Sequence, residues 1–204
     1  MRYVIVGGGP AGFSAARALR RLDGRSRVTM LSREPTPPYA RIALPYLVYG
    51  AMDEGRLFLP LPDGVDAMRG EEALAVDPAR REVRTASGKE ISYDRLLLAT
   101  GADPLKPDIP GIDLPFVFTI RDLADAQAVR NLLKTAGARR AVVAGAGPVG
   151  LELGDALLKA GCAVTFVVGS DRLFSAMLDA PASAFLERRL AAKGIEIRKN
   201  DNLA

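Results

Sequence analysis

The chain carries one glycine-spaced turn twice. Residues 4–12 read VIVGGGPAG and residues 142–150 read VVAGAGPVG, so Gly7, Gly9 and Gly12 recur as Gly145, Gly147 and Gly150, 138 positions further on. Each set follows a short apolar, β-branched run and opens a segment of helical periodicity, which is the strand–turn–helix context that gives a GxGxxG spacing its meaning. The first glycine permits a tight turn, the second lets the backbone approach a diphosphate, and the third lets helix and strand pack closely. Free N–H groups and the helix dipole favour an anion at the same place. Pro10 and Ala11 complete the first turn, and Pro148 and Val149 the second.

The segments around these turns predict an α/β chain, a Rossmann-like three-layer fold with two βαβ dinucleotide units and a small antiparallel meander. Residues 2–6 predict a buried parallel strand, residues 12–22 an amphipathic helix, and residues 28–31 a second strand. Residues 41–50 predict a turn and a short helix bounded by Pro45. Three runs at 72–77, 82–86 and 90–92, punctuated by Asp77-Pro78 and Ser87-Gly88, predict the meander. The run 95–100 reads as another buried strand. Residues 103–115, with four prolines and Gly111, read as a connector. A helix at 122–134 leads into the second unit: strand 141–144, helix 148–160, strand 163–168, a helix capped by Asp179, and a strand at 195–198. The domain division expected from this order is residues 1–113 and residues 114–204.

Glu34 stands 22 positions after Gly12, near the end of the second strand, where a carboxylate accepts hydrogen bonds from ribose hydroxyls. The second unit has no such acid in the matching place. Its strand ends in Val168, Gly169, Ser170, Asp171 and Arg172. Asp171 reaching the ribose would suit NAD, Ser170 and Arg172 taking a 2′-phosphate would suit NADP, and a simple polar turn is a third reading.

Composition narrows the chemistry. There is no histidine and one cysteine, Cys162. The chain therefore supplies no histidine base, no Cys/His metal site, no CxxC redox pair and no internal disulfide, so redox chemistry falls to a bound cofactor. No catalytic side chain and no metal ligand is assigned. A net charge of +4, with basic and acidic residues intermixed, predicts no nucleic-acid footprint. No apolar run approaches the roughly 18 residues of a membrane span. The opening MRYVIV enters a strand directly and reads as a mature cytoplasmic terminus.

These residues resemble the pyridine nucleotide-disulfide oxidoreductase superfamily, in the branch of rubredoxin, ferredoxin and nitrite reductase FAD subunits. The resemblance rests on GGGPAG at 7–12, EPTPPYARIAL at 34–44, LLLATGADP at 96–104 and GAGPVGLEL at 145–153. It implies FAD on the first turn and NAD or NADP on the second. It also implies a further FAD contact at Ala99, Thr100 and Gly101, a place near the flavin side for Arg41, and a place facing the flavin for Glu152. A surface arginine and a solvated helix glutamate are the competing readings of the last two. The implied activity is an FAD-dependent NAD(P)H oxidoreductase that exchanges electrons with a protein partner such as an iron–sulfur protein, in an oligomeric assembly. The competing reading is a non-catalytic FAD-binding or scaffold subunit. A flavin monooxygenase is argued against, because its histidine-containing signature has no counterpart here.

Two departures qualify the resemblance. Relatives that reduce disulfides or peroxides place a cysteine in the segment equivalent to 41–46, where this chain reads RIALPY. Cys162, in a Gly-Cys-Ala turn, reads as a small core residue. In addition, the family resumes its FAD domain after the nicotinamide domain and adds an interface domain, neither of which lies within residues 1–204. A truncated chain, completion by another chain, and a shortened scaffold are the expectations that follow.

Overall fold

The computed structural model describes residues 1–203 and divides into two compact units, Met1–Arg41 with Glu54–Asp103, and Ile42–Asp53 with Pro104–Ala204. In the first, β1 (Arg2–Val6) is followed by α1 (Pro10–Leu22) and β2 (Arg27–Ser32). With β3 (Val65–Arg69) and β7 (Arg95–Leu98) they form a parallel sheet of order β3-β2-β1-β7. The two-residue period of a strand sends alternate side chains to opposite faces. Val4, Val6 and Leu31 accordingly pack with Val83 and Tyr93 on one side. Ile5, Val28 and Met30 pack with Ala16 of α1 on the other.

Val83 and Tyr93 come from the meander, β4 (Ala73–Asp77), β5 (Glu82–Thr85) and β6 (Glu90–Ser92), paired antiparallel in that order. Its first turn forms because the Asp77 carboxylate accepts from the backbone N–H groups of Ala79 and Arg80, an Asx-type turn. Meander, parallel sheet and α1 thus make the three layers that the sequence predicts.

Two strands differ from expectation. β3 lay unassigned in the sequence because VDAMR is neither an apolar run nor a clean alternation, yet it pairs in register with all of Val28 to Ser32. The run at 95–100 is shorter than predicted, ending at Leu98, and it is not buried: Leu98 is 62% exposed. The strand occupies an edge of the sheet, and Leu97 and Leu98, which alternate between its faces, are both exposed.

The second unit repeats the theme with β8 (Arg140–Ala144), α4 (Pro148–Lys159), β9 (Ala163–Val168), α5 (Ala180–Ala191) and β10 (Glu196–Lys199), in a parallel sheet of order β10-β9-β8. α3 (Leu123–Thr135) and the short α2 (Leu44–Val48) pack together, and α2 also packs on α4. α4 lies tight against β9: a Cβ added at Gly154 would stand 2.3 Å from Cζ of the fully buried Phe166. The architecture is α/β and Rossmann-like.

Candidate dinucleotide sites

The first glycine turn connects β1 to α1 at the carboxyl end of the parallel sheet, the edge at which open α/β sheets bind ligands. Gly7 adopts φ +122°, and a Cβ there would lie 2.0 Å from the Ala99 carbonyl oxygen. The backbone of Ala99 in turn donates to the Val6 carbonyl at 2.8 Å. Ala99 and Thr100, placed in the sequence with Gly101 by resemblance alone, are thereby brought against the first turn. Gly12 serves the close approach of helix to strand, because its Cβ would stand 1.9 Å from the Gly7 oxygen. Gly9 is different. The nearest atom to a Cβ there is Arg41 Nε at 3.9 Å, so the space beside its backbone is open.

The second turn matches the first at its second and third glycines and differs at its first. Gly150 would meet the Gly145 oxygen at 2.3 Å, whereas Gly145 and Gly147 have no atom within 4 Å of an added Cβ. A pocket of about 250 Å³ opens at the carboxyl ends of β8 and β9, lined by Ala144, Gly145, Val167, Gly169 and Asn202 among others. Asn202 Oδ1 would lie 2.6 Å from a Cβ at Gly169, so that glycine admits the carboxamide.

Helix capping separates these two helices from α3 and α5, while the five-residue α2 also begins without a side-chain cap, at Ala43 and not at a glycine. α3 begins with a capping box in which Asp122 accepts from the Asp125 N–H and Asp125 accepts from the Asp122 N–H. α5 is capped by Asp179, which accepts from Ala182. Among the described residues, α1 and α4 begin at Gly9 and Gly147 with no side-chain cap and no acidic residue in the first turn, and with Pro10 and Pro148 next. Their first N–H groups and the positive ends of their dipoles are left for an external anion. Ala11 and Val149, on these first helical turns, are both exposed.

Glu34 lies two residues past β2, beside the first turn. Its carboxylate accepts from the Tyr39 hydroxyl at 2.6 Å and forms an ion pair with the Arg41 guanidinium. Arg41 also stacks over the Tyr39 ring, 5.1 Å from its centroid. The structure therefore sets Arg41 between the acid and Gly9. Tyr39 was not singled out in the sequence, where it stands in a proline-rich stretch that reads as loop. The fit for a dinucleotide on the first turn is supported by the open flank of Gly9, the uncapped helix and the adjoining carboxylate together.

At the second unit Val168 is buried, and the three residues considered for nucleotide choice, Ser170, Asp171 and Arg172, are engaged with one another. Asp171 pairs with Arg172 at 3.1 Å, Arg172 also donates to the Ser175 carbonyl, and Ser170 donates to the Arg172 carbonyl. Glu152 is exposed on α4. Cys162 is buried, 3.5 Å from the Ala138 carbonyl, and burial pushes its thiol above the ordinary cysteine range. Among the described residues there is no cluster of ligands suited to a metal, and no helix is long and apolar enough to cross a membrane.

Comparison with known proteins places these sites in context. The family described as pyridine nucleotide-disulphide oxidoreductase matches residues 1–204. The epsilon subunit of an NADH-dependent phenylglyoxylate dehydrogenase from Aromatoleum evansii is 36% identical over 201 residues, which are 96% of this chain and 47% of that protein. The ferredoxin–NAD(+) reductase component of a biphenyl dioxygenase system from Paraburkholderia xenovorans is 34% identical, over 98% of this chain and 50% of its own length. A crystal structure of the covalent putidaredoxin reductase–putidaredoxin complex superposes with a TM-score of 0.92 at 27% identity, covering 100% of this chain and 50% of the reductase chain matched. The chain thus spans about half the length of the relatives it matches.

Proposed function

Since the chain belongs to the pyridine nucleotide-disulphide oxidoreductase family, we propose that it holds FAD on its first turn and NAD or NADP on its second. In this reading residues 1–113 serve the flavin nucleotide and residues 114–204 the nicotinamide nucleotide, within an oxidoreductase that exchanges electrons with a protein partner. The observation that carries the reading is the pairing of bare glycines with uncapped, acid-free helix starts at α1 and α4, while α3 and α5 are capped by aspartates.

The protein's own part is binding and orientation. The backbone around Gly7, Gly9, Pro10, Ala11 and Gly12 receives a diphosphate, and Glu34 receives the ribose hydroxyls. In the same reading Ala99, Thr100 and Gly101 add a further FAD contact, supported by the approach of Ala99 and Thr100 to Gly7. Gly145, Gly147, Pro148, Val149 and Gly150 do the equivalent work in the second unit, with Glu152 one turn further along α4. When bound, FAD would supply the redox chemistry, linking two-electron exchange with a nicotinamide to one-electron exchange with a partner. Positioning of this kind requires no cysteine or histidine base, and the buried Cys162 takes no part. The names of relatives as ferredoxin–NAD(+) reductase components and as a putidaredoxin reductase favour an iron–sulfur protein as the partner. The relative named as a dehydrogenase subunit supports a second reading, an FAD-holding subunit of a larger redox complex.

Anaerobic titration of the purified protein with NADH and with NADPH tests the proposal. The expected result is bleaching of bound flavin by at least one nucleotide, lost in Gly147→Val while flavin content stays unchanged. Flavin that neither nucleotide bleaches would favour the holding subunit, and undiminished bleaching in Gly147→Val would remove the second-turn assignment.

A further inference from the structure

The acid beside the first turn is held in place, and the holding residue is buried. The Tyr39 hydroxyl lies 2.6 Å from Glu34 Oε2, and Arg41 pairs with Oε1 of the same carboxylate. Tyr39 is 5% exposed. Its backbone is fixed by bonds on both sides: Leu59 donates to the Pro38 carbonyl at 2.8 Å, Ala40 donates to the Leu57 carbonyl at 3.0 Å, and Tyr39 itself bridges Phe58. Glu34 is anchored as well, its N–H donating to the Ser32 hydroxyl at 3.2 Å and its carbonyl accepting from Gly70 at 3.0 Å. Two backbone segments held by hydrogen bonds therefore meet at the Glu34 carboxylate, through the Tyr39 phenol and the Arg41 guanidinium.

We propose that Tyr39 is a positioning residue for Glu34, fixing the carboxylate so that it reads the ribose hydroxyls of a nucleotide whose diphosphate rests on the Gly9 turn. The inference rests on the dinucleotide reading of that turn. A carboxylate has about four acceptor sites, enough to serve Tyr39, Arg41 and the ribose together. An exposed glutamate would lose rotamer freedom on binding, whereas one already clamped by a charge-assisted pair and a short O–H···O⁻ bond has lost it on folding. The Arg41 guanidinium, stacked on the Tyr39 ring and 3.9 Å from the Cβ position of Gly9, completes the frame and places positive charge at the edge of the diphosphate turn. Burial of the Tyr39 ring alone would account for a core tyrosine. It does not account for a hydroxyl aimed at the one carboxylate that stands at the ribose position.

Tyr39→Phe keeps the ring and removes the hydroxyl, so it separates positioning from packing. In protein stripped of bound nucleotide, FAD affinity is followed by quenching of flavin fluorescence, with ADP and 2′-deoxy-ADP as competitors. The wild type is expected to bind FAD and to prefer ADP to 2′-deoxy-ADP by roughly tenfold, the scale of one hydrogen bond to a charged group. Tyr39→Phe is expected to weaken FAD and ADP while leaving 2′-deoxy-ADP nearly unchanged, so that the preference falls to about two- to threefold. A general loosening of the fold would weaken all three alike. A Tyr39→Phe protein with the wild-type preference overturns the inference while leaving the dinucleotide reading intact. Failure of the wild type to bind either FAD or ADP overturns both.

Discussion

One added methyl group has unequal consequences at neighbouring glycines of the first turn. At Gly12 a Cβ would stand 1.9 Å from a backbone oxygen that cannot withdraw without opening the β1–α1 turn. Glycine-to-alanine within a helix ordinarily stabilises by up to about 1 kcal/mol. Here the overlap reverses the sign, and Gly12→Ala is expected to destabilise by about 2–4 kcal/mol, measured as a lowered denaturant midpoint. Gly9→Ala, with open space around the new atom, is expected to stay within about 1 kcal/mol of wild type. Equal stability of the two variants would contradict the division of labour among the glycines. Cys162 makes a second prediction at this scale. Its thiol is buried and held above the ordinary range, so it is expected to resist alkylation in the native protein and to react on unfolding. Cys162→Ala should leave nicotinamide-driven flavin reduction unchanged, and loss of that reduction would reinstate a cysteine route.

Among the elements, a carboxylate helps to tie the meander to the segment that follows β3. Glu71, between β3 and β4, accepts from Lys89 Nζ at 2.8 Å and from the Ser87 N–H at 3.1 Å. The Lys89 ammonium first, then Ser87 and Thr85, pull its carboxyl down to about 2. A folded-state value below the unfolded one gives stability that is present at neutral pH and lost as pH falls from the ordinary carboxylate range through about 2. Glu71→Gln is therefore expected to lower stability at neutral pH and to flatten its decline on acidification, followed by near-UV circular dichroism across pH. A wild-type acid profile in Glu71→Gln would contradict this. The meander itself was legible because Asp77-Pro78 and Ser87-Gly88 are turn sequences with a local mechanism. β3 was not legible, because its place at the outer edge beside β2 is decided by a register with a distant strand. β7 was misread for the converse reason: three consecutive leucines do not reveal that their strand lies at a sheet edge.

For the molecule as a whole, the doubled glycine turn made the two βαβ units legible, since those glycines answer to backbone sterics that hold in any Rossmann-like unit. Glu34 was legible from its spacing. Ala99 came from resemblance, and the structure gives the reason in the 2.0 Å approach to the Cβ position of Gly7. Tyr39 could not be found beforehand, because its relation to Glu34 depends on the pairing of its segment with residues 57–59. α1 and α4 are left uncapped, in this reading, to receive one dinucleotide each. Flavin content per chain, measured on wild type, Gly9→Val and Gly147→Val purified in parallel, tests it most directly. Close to one flavin per chain is expected in the wild type and in Gly147→Val, and almost none in a folded Gly9→Val. A flavin-free wild type that takes up no added FAD, or a Gly9→Val protein with undiminished flavin, would contradict it.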